Sequence, residues 1–134
     1  MGRRLDDMAE LTKEQIELAR GRGFAVAATL GPDGTPQTSI VWVDSDGEHI
    51  LFNTTNTRAK ARNLRRDPRI NLTVFDGDDP HRYFEIEGTA ELVQDGAEEH
   101  IEALSRRYDG REFGGPRDRV IVKVTPRRIF DHGG

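Results

Sequence analysis

Apolar and polar residues alternate through most of this chain, and the alternation gives way to helical spacing in three places. The first helix is announced by Thr12 and Gln15, which form a capping box, with Leu11 and Ile16 placed as a hydrophobic staple and Gly21 and Gly23 as the stop. Strand spacing then puts Phe24, Val26, Ala28 and Leu30 on one face. Gly31-Pro32-Asp33-Gly34 reads as a tight turn, and Gln37 to Val43 returns as the second strand of a hairpin. After a turn at Ser45-Asp46-Gly47, His49 to Asn53 forms a third strand that ends just before a basic helix. Asp67-Pro68 stops that helix. Arg69 to Phe75 follows as strand four, with Ile70, Leu72 and Val74 inward. Tyr83 to Val93 is the longest strand, and Gly88 is its natural bend. A last helix starts near Asp95, with Glu98 completing the cap and Ala97, Ile101, Leu104 and Tyr108 at helical spacing. Val120, Val122 and Val124 mark a sixth strand. Six mostly antiparallel strands with two or three connecting helices predict a mainly β, α+β fold closed into a small barrel, which removes exposed edges.

Composition narrows this picture. At 134 residues the chain reads as a single domain, 1–134. Its hydrophobic fraction of 34% barely exceeds the 33% of charged residues, which predicts a small core helped by a subunit interface, hence a dimer. A net charge of -4 argues against a general nucleic-acid coat protein. The absence of cysteine removes disulfides, thiolate nucleophiles and cysteine metal sites. No apolar run approaches the ~20 residues of a membrane span, and Met1 to Glu10 is charged rather than built like a leader. The expected location is the cytoplasm.

Charge is not evenly spread. Six basic side chains and one acid fall between Arg58 and Arg69. With Asn56 or Thr57 as cap, the free N–H groups and the positive dipole end of this helix would point where Arg58 and Lys60 also point, a place suited to phosphate. A solvated helix face is the plainer alternative. Other chemistry is thinly supported. His49, His81, His100 and His132 lack metal-ligand spacing, the three serines form no nucleophile elbow, and Gly21-Arg22-Gly23 follows a helix rather than a strand.

A set of motifs then aligns in order and spacing: Gly34-Thr35-Pro36-Gln37-Thr38-Ser39, Val41-Trp42, Asn53-Thr54, Arg58-Ala59-Lys60, the string Arg62 to Arg69, and Tyr83 to Gly88. Through them the chain, over about residues 9 to 130, resembles the actinobacterial, coenzyme F420-dependent branch of the pyridoxamine-5'-phosphate-oxidase-like split barrels. The resemblance implies a homodimer with a tricyclic cofactor in a groove at the subunit interface, against the second and third strands. By residue matching, Arg58 and Lys60, with Ala59 between them, look like the phosphate ligands. Asn53 and Thr54 would add polar contacts, while Gln37, Ser39, Val41 and Trp42 would line the ring. Gln37 and Ser39 read equally as outward polar strand positions, and Trp42 as a core or dimer residue. Arg65, Arg66 and Arg69 are placed either for a poly-glutamate tail or for surface acids.

The resemblance also orders the cofactors. Flavin-using oxidases of this kind show Ser-Arg-Lys at the phosphate and a further carboxy-terminal segment, whereas this chain reads Arg58-Ala59-Lys60 and has four residues after Phe130. That favours the deazaflavin, whose reduced form is restricted to hydride transfer. The implied function is an F420-dependent reductase of a conjugated small molecule of the enone, quinone or tetrapyrrole class. The alternatives are an FMN-dependent oxidoreductase of the pyridoxamine-phosphate-oxidase type and a non-catalytic binder of cofactor or tetrapyrrole. His81, Arg82 and Tyr83 are candidate proton donors from a loop of the partner subunit, with loop or interface packing as their alternative role.

Overall fold

The capping box closes as its spacing requires: the Gln15 N–H donates to Thr12 Oγ1 at 3.1 Å and the Thr12 N–H to Gln15 Oε1 at 2.9 Å. The helix it opens, α1 (Lys13–Arg20), stops at Gly21. Residues 8–132 are described by this computed structural model, so most of the charged amino-terminal stretch read against a leader, residues 1–7, lies outside the described residues. Strands β1 (Gly23–Leu30) and β2 (Pro36–Trp42) form the hairpin, turning at Gly34, whose φ of 84° suits glycine. The two-residue β3 (Asp44–Ser45) leads to β4 (Ile50–Thr55) and then to α2 (Ala59–Arg66). Strands β5 (Arg69–Asp76) and β6 (Tyr83–Val93), helix α3 (Ala97–Asp109) and strand β7 (Arg119–Asp131) complete the order.

All seven strands join one curled antiparallel sheet in the order β2-β1-β5-β6-β7-β4-β3. Six strands stand where alternation predicts them, and β3 is a two-residue addition beside β4. The interior is filled by Ile50 and Phe52 of β4, Ile70, Leu72 and Val74 of β5, Phe84 and Ile86 of β6, and Val122 and Val124 of β7. Those bulky residues decide how β1 is turned. Its small residues Ala25 and Ala27 take the crowded inside, and Phe24, Val26, Ala28 and Leu30 form the outer face. The α3 cap also differs from its reading: Gly96, with φ 79°, occupies the N-cap, because the Glu98 carboxylate is taken by the Arg119 N–H at 2.9 Å.

Gly88 marks the bend of β6, where the register with β7 shifts between Glu87 and Gly88. A Cβ there would stand 2.6 Å from the Thr125 carbonyl oxygen and 3.0 Å from Val124 Cγ1. Gly88→Ala should therefore destabilise the fold by about 1–3 kcal/mol, the scale of overpacking, in denaturant unfolding; an unchanged midpoint would show that the two strands part without cost.

Candidate functional site

Strand β4 delivers the chain to α2 through a turn whose polar groups are already engaged. The Asn56 amide exchanges hydrogen bonds with Gln94 and donates to Asp118, and Arg65 donates to its oxygen. The Thr57 hydroxyl lies 3.4 Å from that of Thr55. Neither residue is free to cap, which corrects the expectation from the sequence. Arg58 takes the N-cap position in extended backbone and offers no side-chain acceptor. The first-turn N–H groups of α2 thus lack a side-chain cap and sit beside the Arg58 and Lys60 side chains.

Where this helix end points is set by Asn63. Its buried amide donates to Thr29 Oγ1 at 3.0 Å and to Gln37 Oε1 at 2.6 Å. This fastens α2 to the β1–β2 hairpin. The result is a hollow of about 260 Å³ in which Gln37, Thr38 and Ser39 face Arg58, Ala59 and Lys60. Arg58 and Lys60 also border a second groove of about 300 Å³, walled by Ile40, Val41 and Trp42 on one side and by Asn53 and Thr54 on the other. All nine residues singled out from the sequence for cofactor contact, Gln37, Ser39, Val41, Trp42, Asn53, Thr54, Arg58, Ala59 and Lys60, therefore line two hollows joined at the same two cations. Together they reach the size range of small-molecule sites.

Arg119, Phe113, Ile101 and Leu104 also wall the groove and were not foreseen. Arg119, at the start of β7, lies opposite Thr55 and donates through Nε to Asn53 Oδ1 at 2.8 Å. Its guanidinium sits 4.9 Å over the Phe113 ring, and Ile101 and Leu104 of α3 close the apolar end. Phe113-Gly114-Gly115-Pro116 is a legible loop signal, but the placing of Arg119 depends on strand register, which a single sequence does not display. Trp42 is half-buried, its ring parallel within 3° to that of Tyr108 at 5.2 Å. Tyr108 is itself pinned by donating to the Gly23 carbonyl and accepting from the Val43 N–H.

Among the described residues, no acidic side chain lines either hollow. Burial, and then repulsion from Arg58 and Arg119, push the Lys60 pKa below its ordinary value. Burial likewise lowers that of Arg119; Glu98 opposes the shift, and Arg58 and Arg117 add to it. The Arg58 and Lys60 side chains make no hydrogen bond or ion pair with the described residues, the Arg58 backbone alone being engaged, with Thr55 and Arg62. Three neighbouring cations, of which only Arg119 has an acid, Glu98, close by, give this wall a positive potential.

The loop residues fall elsewhere in this chain. Arg82 and Tyr83 border a separate hollow with Gln15 and Asp131, Tyr83 stacks on His132 at 4.7 Å, and His81 is exposed. Among the described residues no cluster of histidine or acidic groups could hold a metal, and no helix is long and apolar enough to cross a membrane.

Known proteins share this architecture. An F420 reductase is 35% identical, with 89% of this chain and 98% of that one aligned at a TM-score of 0.76. A conserved hypothetical protein from Mycobacterium tuberculosis is 29% identical, with 98% and 91% aligned at 0.72. HupZ from Group A Streptococcus, at 22% identity and a TM-score of 0.68 over 90% and 93%, shares the fold. The sequence pattern of pyridoxamine 5'-phosphate oxidase matches residues 11–133, and with the curled antiparallel barrel it shows that this chain belongs to the pyridoxamine 5'-phosphate oxidase family.

Proposed function

We propose that this protein is a coenzyme F420-dependent oxidoreductase that reduces a conjugated, electron-poor small molecule. The observation that carries the reading is the cluster of Arg58, Lys60 and Arg119 around the uncapped start of α2. Its donor set of guanidinium, ammonium and backbone N–H groups fits a phosphoryl group, and the adjoining strand edge and apolar wall fit a flat ring. The 35% identity to an F420 reductase supports the deazaflavin over FMN, which would use the same phosphate contacts.

Within this reading Arg58, Lys60 and the first N–H groups of α2 hold the phosphoryl group. Ser39 and Gln37 meet the polar edge of the ring, with Gln37 oriented by Asn63. Trp42, backed by Tyr108, and Ile101 and Leu104 keep water from its apolar part. The bound deazaflavin supplies hydride transfer. Among the described residues no carboxylate or imidazole lines either hollow, so on this reading the proton that completes the reduction comes from water or from a second subunit.

A second copy is part of the proposal. Val26 of β1 stands opposite Ile40 of β2, and Phe24 opposite Trp42, on the outer face. Ile40 is 68% exposed beside the groove, an apolar surface suited to a subunit contact. Ile40→Glu should shift the protein from dimer to monomer in light scattering and weaken cofactor binding together with it; a monomeric wild type would remove the subunit from the site.

Arg58→Ala or Lys60→Ala should weaken cofactor binding by about 1.5–3 kcal/mol, the scale of a charge-assisted hydrogen bond. Because each also relieves repulsion, the unfolding midpoint should stay or rise. Affinity within error of wild type would refute the site. Trp42, the single tryptophan, serves as reporter in parallel titrations with coenzyme F420 and FMN. Tighter saturable quenching by the deazaflavin, followed by oxidation of its reduced form with an enone or quinone, is expected. Tighter FMN binding would make this a flavin enzyme, and binding without turnover over a broad acceptor panel would make it a carrier.

A further inference from the structure

Under α3, on the face of the sheet shared by β3, β4 and β7, a line of polar side chains runs from Asp44 through His100 and Asn53 to Arg119. The Asn53 amide settles its chemistry. Its Nδ2 donates to the Ala97 carbonyl at 2.9 Å, and its Oδ1 accepts from Arg119 Nε at 2.8 Å. A carbonyl only accepts and a guanidinium only donates, so the amide has one orientation. Nδ2 also faces His100 Nδ1 at 3.1 Å, which obliges that nitrogen to present a lone pair. The imidazole hydrogen is therefore on Nε2, which is buried, 3.5 Å from Asp44 Oδ2 and outside hydrogen-bond geometry. Asp44 is itself paired with Arg107 at 3.5 Å; despite its burial, contacts to His100, the Ser45 N–H and Arg107 hold its pKa below the ordinary range.

We infer that His100 is a positioning residue for the anion site: as the neutral Nε2–H tautomer it holds the Asn53 amide so that Arg119 is presented to the groove. A proton on Nδ1 would set two donors face to face. Turning the amide over would satisfy the imidazolium but set Asn53 Nδ2 against Arg119 Nε, and Asn53 Oδ1 against the Ala97 carbonyl. Protonation of His100 and retention of Arg119 at the wall thus oppose each other, and by linkage so do protonation of His100 and anion binding. The charges around the imidazole are Asp44 on β3, Arg107 on α3 and Arg119 on β7, with Glu98 of α3 on the Arg119 N–H and on Arg117. The sign is distinctive. A protein that gains positive charge as pH falls should bind anions more tightly, whereas this device makes binding weaker.

The inference rests on the proposed anion site but not on which cofactor fills it, so the test uses sulfate, whose charge is constant over the relevant range. In wild-type protein, histidine nitrogen NMR should show the Nε2–H tautomer for His100. As the pH is lowered, the Arg119 Nε–H signal should change together with the His100 ring nitrogens. Sulfate, followed through the Ala59, Lys60 and Arg119 N–H signals, should bind about tenfold more weakly at the acid end, the effect of losing one charge-assisted contact. His100→Asn keeps an acceptor near the place of Nδ1 and cannot titrate; it should retain the wild-type affinity at about pH 8 and lose the acid weakening. His100→Leu should bind weakly throughout. An Nδ1–H tautomer, an Arg119 signal indifferent to His100, or the same acid weakening in His100→Asn would overturn the inference. So would wild-type protein that shows no saturable sulfate shifts at these groups. Saturable sulfate binding with no affinity for either cofactor would instead refute the cofactor reading and leave this one standing.

Discussion

The geometry of the site depends on one buried amide. Asn63 donates to β1 through Thr29 and to β2 through Gln37, and accepts from Arg66 on its own helix at 2.9 Å. A helix of eight residues is too short to hold its shape or direction alone. Ala61 and Leu64 give α2 an apolar anchor, but apolar contact is non-directional and would permit small rotations about the helix axis. Two hydrogen bonds to two adjacent strands remove that freedom. They decide that the open end of α2 lies beside β2, against Gln37, Thr38 and Ser39.

Only part of the basic stretch serves the groove. Arg62 donates to the Thr57 carbonyl, Arg65 to Asn56, Arg66 to Asn63 and Arg69 to Asp67, whose pKa it lowers to about 2, first by hydrogen bonding. These four stabilise the turn before the helix, its body and its exit. Only Arg69–Asp67 is an ion pair, and water screens an exposed pair of that kind. Arg58 and Lys60 are different in kind, since their side chains have no acidic partner and repel each other, with Arg119 adding to the repulsion on Lys60. Their repulsion is a cost to the fold, which on the proposed reading an anion relieves. On the proposed reading, the charge count of the segment alone therefore overstates how many residues bind and understates how strongly the remaining ones are poised.

What was legible in the sequence follows from how local each signal is. The capping box at Thr12, the turn at Gly34, the alternation in β5 and β7 and the bend at Gly88 are short-range, and all stand as read. Signals that depend on competition between partners failed. Asn56 and Glu98 are good cap residues by type, yet each is drawn off by a distant part of the chain, Asn56 by Gln94 and Asp118 and Glu98 by Arg119. The turning of β1 was invisible for a related reason. Alternation shows which residues share a face but not which face is inside, and here the bulk contributed by four other strands sends the smaller set inward. Arg119 was hidden most fully, because it joins the site by lying opposite Thr55 across a pairing of distant segments.

Strand β2 ties these observations together. Its inward residue Val41 packs in the barrel core with Val43, and its outward residues Ile40 and Trp42 are apolar as well. A strand apolar on both faces is one that the assembled protein covers on both faces. In this chain the outer side is only partly covered, by Tyr108 against Trp42, while Ile40 stays open at the edge of the groove. On the proposed reading, the same strip of backbone has two demands on it, a flat ring along its edge and a second copy over its face. Both are met only if the ring lies at the margin of the contact. On the proposed reading, the anion cluster fixes one end of the ligand within a single protomer. Pairing of the outer faces then decides how much of the rest is shielded from water, and so couples assembly to chemistry.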